Sequence, residues 1–170
     1  MSDSVRAVVL ADTHLRDRDL PRRDLPEQAW DRISRCDVVL HAGDVLEAGL
    51  LERLNQVAPT YAVLGNNDLA LVGHLPETRV LHLAGVTLAM VHDSGQRAGR
   101  PTRLRRRFPE ADIVVFGHSH VPCDQVGIDG QLLFNPGSAT TRRSQPACTF
   151  GELVLADGAV SERSIIALER

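Results

Sequence analysis

The chain has 170 residues, 43% of them hydrophobic, which suits one domain on the usual scale of ~100–200 residues and is enough to bury a core. A formal net charge of −3 and only six aromatic residues disfavour nucleic-acid binding, which needs a basic face or a stacking platform. No stretch approaches the ~18 apolar residues of a membrane span, and Cys36, Cys123 and Cys148 fit neither a disulfide framework nor a CxxC metal motif, so a soluble cytoplasmic protein with a single domain over residues 1–170 is expected.

Val5–Ala11 is a short β-branched apolar run and reads as a buried strand. Asp24 is placed to cap a helix over Pro26–Arg35, where Ala29, Trp30 and Ile33 share a face. Val38–Leu40 is the next strand. Leu46, Leu50, Leu51, Leu54 and Val57 recur at helical spacing, giving a second helix that stops before Pro59, and Tyr61–Leu64 returns to strand. This βαβαβ order implies parallel strands covered by helices.

Farther on, Arg79–Leu83 and Val86–Val91 flank Ala84-Gly85 as a hairpin. Arg97–Phe108 reads as one exposed helix, followed by strand Ile113–Phe116. Val121–Val126 pairs with Gln131–Phe134, and Thr149–Leu155 with Ala159–Ile166 across Asp157-Gly158. About nine short strands imply two sheets rather than one.

Seven groups able to bind metal follow five of the apolar runs: Asp12 and His14, Asp44, Asn66, His92, and His118 with His120. Ligands at the carboxyl ends of neighbouring strands converge in space however far apart they lie in sequence. In Asp12-Thr13-His14 and in His118-Ser119-His120, residues i and i+2 of an extended strand end would point to the same side. Asp44 can serve either as a metal ligand or as the N-cap of the following helix, and the two uses compete for the same oxygens. Gly65-Asn66-Asn67-Asp68 reads as a turn that also offers a neutral amide oxygen. Two carboxylates, one amide and four imidazoles suit two divalent ions of intermediate hardness if one Asp bridges.

D-x-H, GD, GN-N-D, H and GHSH, followed by Asn135-Pro136-Gly137-Ser138, resemble the calcineurin-like metallophosphoesterase superfamily, and within it the small bacterial and archaeal phosphodiesterases. The resemblance implies an α/β (α+β) fold, a four-layer αββα sandwich of two mixed sheets with the metals at the top. It implies that Asp12, His14, Asp44 and His120 hold one metal, that Asp44, Asn66, His92 and His118 hold the other, and that a water between the two cations is the nucleophile. Manganese is the first expectation; iron, nickel, cobalt or zinc also suit the ligands.

Two departures narrow the likeness. Asn67 stands where many relatives carry a His that aids leaving-group protonation, and His92-Asp93-Ser94 stands where relatives often show H-G-H. Asn67 and His41 are the candidate catalytic residues, although His41 serves equally as an orienting or merely buried histidine. Asn67, Arg142 and Arg143 are candidates for binding substrate; the two arginines otherwise belong to a solvated loop. All 19 basic residues are Arg, read as composition bias, and the Arg100–Arg107 cluster is read as a helix face rather than a nucleic-acid patch.

The expected activity is phosphodiester hydrolysis. The alternatives are a phosphomonoesterase or nucleotide pyrophosphohydrolase with the same centre, or a non-catalytic interaction scaffold. The expected partner is a phosphoester small molecule or nucleotide, with no membrane and a homo-oligomer left open.

Overall fold

The computed structural model describes residues 4–168; the few terminal residues of the expected 1–170 domain lie outside them. Among the described residues ten strands form two five-stranded sheets. They are β1 (Ser4–Leu10), β2 (Val38–His41), β3 (Thr60–Ala62), β4 (Thr78–Leu83), β5 (Val86–Val91), β6 (Ile113–Val115), β7 (Cys123–Val126), β8 (Leu132–Asn135), β9 (Thr149–Ala156) and β10 (Ala159–Ala167). The orders are β10-β9-β1-β2-β3 and β4-β5-β6-β8-β7. Both sheets are mixed. β1 runs parallel to β2 and antiparallel to β9, while β5, β6 and β8 are parallel between two antiparallel edge strands.

Alternation along the strands builds the layers. In β1, Ala7 and Val9 face the opposite sheet, where they meet Leu88, Met90, Val115 and Phe134. Val8 and Leu10 face the other way, onto α1 (Glu27–Ile33) and α2 (Ala48–Val57) through Ala29, Ile33, Leu50 and Leu54. The second sheet buries Ala89, Val114 and Phe116 under Leu104 of α3 (Arg100–Arg107) and the adjacent Phe108. The order is helix, sheet, sheet, helix. Phe116, Phe134 and Phe150 are fully buried, each contributing about 1.5–3 kcal/mol relative to exposure. Among the described residues no helix is long and apolar enough to cross a membrane.

The helices depart from the sequence reading at their starts. Asp24 does not cap α1, which begins after Pro26. Its Oδ1 accepts from the Leu25 N–H and the Trp30 indole, and its Oδ2 pairs with Arg53 at 2.6 Å. Helix α2 begins at Ala48 rather than Leu46. Leu46 has φ of +88°, bridges to Leu15, and gives its N–H to Asp68 Oδ1 at 2.7 Å. Helix α3 begins at Arg100 because Gly99, at φ +69°, turns the chain just before it. It is not simply an exposed helix: Leu104 is buried and Arg100 lies over the Phe116 ring.

The hairpin tips close the end of the sandwich away from the strand-end polar groups. The Gly158 N–H donates to the Ala84 carbonyl at 2.9 Å, joining the β9–β10 turn to the β4–β5 turn across the two sheets.

Candidate metal centre

Parallel β1, β2 and β3 and parallel β5 and β6 end on the same side, and the loops after them carry all seven candidate ligands. The alternation argument for D-x-H and H-x-H is corrected here. Asp12, His14, His118 and His120 are not at extended strand ends but at φ of +54°, +48°, +69° and +60°, and Asp44 is at +57°. Left-handed backbone, costing about 1–2 kcal/mol per non-glycine residue, turns these side chains inward. Such strain persists only where the surroundings hold it.

Two glycines make the approach possible. A Cβ on Gly43, which is at φ +90°, would sit 2.6 Å from His92 Nδ1, and a Cβ on Gly65 would collide with the Asp44 backbone nitrogen. The Asp44 loop is therefore pressed against both the Asn66 loop and His92.

The ligand-type atoms converge in two groups, Asp12 with His14 and His120, and Asp12 with Asp44 and His92, each lying within 4.8 Å. His14 Nε2 is 3.2 Å from His120 Nε2, with the rings stacked. His120 Nδ1 donates to the Thr141 carbonyl at 2.6 Å and His92 Nδ1 to the Ala42 carbonyl at 2.7 Å. A carbonyl only accepts, so both Nδ1 atoms carry protons and Nε2 faces the centre in each. Asn66 Oδ1 lies 3.0 Å from His92 Nε2 and 2.9 Å from His118 Nδ1. Asp12 is common to the two groups, and Asp44 Oδ2, in the second, lies 3.6 Å from His14 Nε2 of the first and 3.5 Å from His92 Nε2.

The electrostatics are dominated by burial of the two carboxylates and their imidazole neighbours. Neither oxygen of fully buried Asp12 has a well-formed hydrogen bond, the His118 backbone N–H offering only a weak one, and this is costly for a carboxylate. Burial pushes the Asp12 carboxyl up to about 7 against the pull of His92, and the charge of Asp44 adds to the rise. Burial also acts to raise Asp44, but hydrogen bonds from His92 and from the Asn67 backbone and side chain outweigh it and hold the carboxylate well below its usual range. Burial acts to lower His92, yet its bonds to Asp44 and Ala42 outweigh it and hold the imidazole above its ordinary range. Burial lowers His14 and His120, and the Arg143 charge adds to the effect. Oxygen and nitrogen donors of this kind, with the unpartnered Asp12 oxygens among them, suit divalent ions of intermediate hardness.

The other predicted site residues are placed as follows. Asp44 does not cap α2; its oxygens accept from Asn67 instead. His41 is fully buried and pairs with Thr13 Oγ1 at 3.0 Å, its Nδ1 lacks a partner, and burial, reinforced by the charge of His92, pushes it down to about 3. It thus stays neutral behind the Asp12–His14 loop. Arg143 reaches the His118 carbonyl at 3.4 Å, whereas Arg142 folds onto the Gln145 carbonyl at 2.7 Å.

Sequence reasoning missed the residues that hold these loops. Buried Asp68 accepts from the Asp44 and Gly65 N–H groups through Oδ2 and from Leu46 through Oδ1. Ser138 Oγ donates to the Asp12 carbonyl, Thr140 Oγ1 to the Thr13 carbonyl, and Asn135 Nδ2 to the Gly117 carbonyl. Their only signal was membership of GNND and NPGSAT, where turn chemistry hides a clamp.

Comparisons with known proteins identify the family and the fold. Residues 5–158 match the calcineurin-like phosphoesterase superfamily domain. A probable metallophosphoesterase of Methanocaldococcus jannaschii is 33% identical over 142 residues, covering 79% of this chain and 68% of its own. Vacuolar protein sorting 29 of Cryptosporidium parvum superposes with a TM-score of 0.76 over 97% of this chain and 99% of its own, at 20% identity. A structure described as a novel archaeal phosphodiesterase superposes with a TM-score of 0.71 over 96% and 99%, again at 20% identity, which speaks for the fold alone. With residues 5–158 matched, the chain belongs to the calcineurin-like phosphoesterase superfamily, a family of metal-dependent phosphoester hydrolases.

Proposed function

We propose that the protein is a dinuclear metal-dependent phosphodiesterase. Asp12, His14, Asp44 and His120 would hold one divalent ion and Asp44, Asn66, His92 and His118 the other, with manganese the first expectation. The observation that carries this reading is the Asp12 carboxylate, buried with both oxygens unpartnered among three imidazole Nε2 atoms 3.6–4.0 Å away. Asp44 is the bridge in this reading because its Oδ2 is nearly equidistant from one imidazole of each set. When bound, two such cations acidify a water and neutralise charge on a phosphoryl group.

The chain's own residues supply orientation. The Thr141 and Ala42 carbonyls fix the tautomers of His120 and His92, and Asn67 and Asp68 set Asp44. Arg143 adds positive charge beside His14 and His120, where a phosphate would be drawn in. Asn67 cannot release a proton at ordinary pH, so it gives no acid catalysis to an alkoxide leaving group. General acid catalysis is typically worth about 10²–10⁴-fold, and its absence favours substrates whose leaving group is already good.

The test compares bis(p-nitrophenyl) phosphate with p-nitrophenyl phosphate after reconstitution with Mn²⁺. The leaving group is the same, so kcat/KM reads the preference between diester and monoester. A higher value for the diester supports the proposal, and a clear preference for the monoester overturns it in favour of a phosphomonoesterase.

A further inference from the structure

The loop after β5 and the loop after β6 carry His92 and His118–His120, and both continue into the walls of a cleft of about 690 Å³. One wall is Gly95, Gln96, Arg97 and Arg100; the facing wall runs from Ser119 through Val121 and Pro122 to Cys123. Resting on the phosphodiesterase reading above, we propose that this cleft receives the retained ester arm of the substrate and favours an arm bearing a second phosphate, recognised by Arg97 and Arg100.

Several observations converge on a phosphate. Arg100 is held in place but not neutralised. Its guanidinium carbon lies 4.9 Å over the Phe116 ring, its Nη2 makes only a 3.5 Å contact with the Gly95 carbonyl, and its buried Nε has no hydrogen-bond partner. Among the described residues neither Arg97 nor Arg100 has an ion-pair partner. The one acid of the cleft, Asp124, is already paired with Arg163 at 2.6 Å. Arg103 is spent internally, its guanidinium bonded to the Ser94 and Gln96 carbonyls, and this pins the segment that carries Arg97. Burial raises the Cys123 thiol, and the charge of Asp124 adds to the rise; the charge and a side-chain hydrogen bond of Arg100, with a smaller pull from Arg97, act against it, so Arg100 reaches the Cys123 side of the cleft.

The volume lies within the ~300–1,000 Å³ of ordinary small-molecule sites. The apolar strip of Val121 and Pro122 suits the body of an arm whose charged end meets the arginines. The cleft begins beside the ligand cluster, because Ser119 in its lining lies between His118 and His120.

The experiment uses two p-nitrophenyl esters of thymidine 5′-phosphate, one with and one without a 3′-phosphate. Both release p-nitrophenol, so only the retained arm differs. We expect a KM about five- to tenfold lower for the 3′-phosphorylated ester at low salt, the size of one or two partly exposed ion pairs. The ratio of the two KM values should fall toward one in Arg97→Ala and in Arg100→Met, the latter keeping an unbranched stem over Phe116. Equal KM values in the parent enzyme, or an unchanged ratio in both variants, would overturn the proposal. If neither ester is hydrolysed, the phosphodiesterase reading fails separately. The cleft is then read by alkylation of Cys123 with iodoacetamide in chelated Cys36→Ser/Cys148→Ser protein. Slower alkylation with thymidine 3′,5′-bisphosphate present supports the cleft; an unchanged rate overturns it.

Discussion

Asn67 holds Asp44 by both ends, its backbone N–H on Oδ1 at 2.9 Å and its side-chain amide on Oδ2 at 2.7 Å. The residue that replaces a potential proton donor is thus already committed to orienting the carboxylate assigned to both metals. Removing the side-chain donor in Asn67→Ala should cost the metal-free protein about 1.5–3 kcal/mol, as for hydrogen bonds to charged groups. Orienting groups of this kind typically alter metal affinity about 10–100-fold, so Mn²⁺ titration of the variant by calorimetry should show weaker binding. Parent-like affinity would show that Asp44 needs no such grip.

Metal content separates a shared ligand from an unshared one. With excess Mn²⁺ followed by desalting, elemental analysis of the parent should give two ions per chain. Asp44→Asn should lower both, while His14→Ala should lower mainly one. Full metal content in Asp44→Asn would remove it as the bridge.

Asp12 makes a pH prediction for the chelated protein. Its folded carboxyl keeps a proton up to about 7, whereas the unfolded chain releases it near 3.8, so across that window the folded state binds more protons. The Asp12 contribution to stability therefore falls as pH rises through the window. His41 works oppositely. Held down to about 3 against an ordinary 6.5, it leaves the unfolded state with more protons, and its contribution is lost as pH falls. Above about pH 7 only the Asp12 penalty persists. Asp12→Asn with chelator should therefore unfold at a higher urea concentration than the parent near pH 8, with the gap closing toward pH 4. Identical midpoints at the higher pH would mean that the carboxylate is not paying for its burial.

The Asp68 clamp should be sensitive to a single atom. Its oxygens accept from three backbone N–H groups, so an Asn amide nitrogen would face a donor instead of an acceptor. Asp68→Asn should lose about 2–4 kcal/mol in urea unfolding, from one or two buried donors left unpaired. A loss below half a unit on that scale, about 0.5 kcal/mol, would show that the loops rearrange freely.

The polar groups after apolar strands were legible in the sequence because a strand end fixes where its next residues go, and five such ends share one side here. The left-handed turns at Asp12, His14, Asp44, His118 and His120 were not, since they are imposed by partners remote in sequence, such as Ser138 on the Asp12 carbonyl and Asp68 on the Asp44 nitrogen. The start of α2 was misplaced for the same reason. Leu46 fits the helical apolar spacing, but its N–H belongs to Asp68, and only the folded loops reveal that.

The bond from the Gly158 N–H to the Ala84 carbonyl gives the two sheets a pivot. The link depends on glycine at the tips: a Cβ on Gly85, at φ +79°, would sit 3.0 Å from the Gly158 Cα. Because this link joins the sheets at one end, a change in their spacing is expected to be larger at the far rim, where Asp12, Asp44, His92 and His120 sit. Lengthening either hairpin turn should therefore register as altered metal affinity at the other end of the molecule before it registers as unfolding.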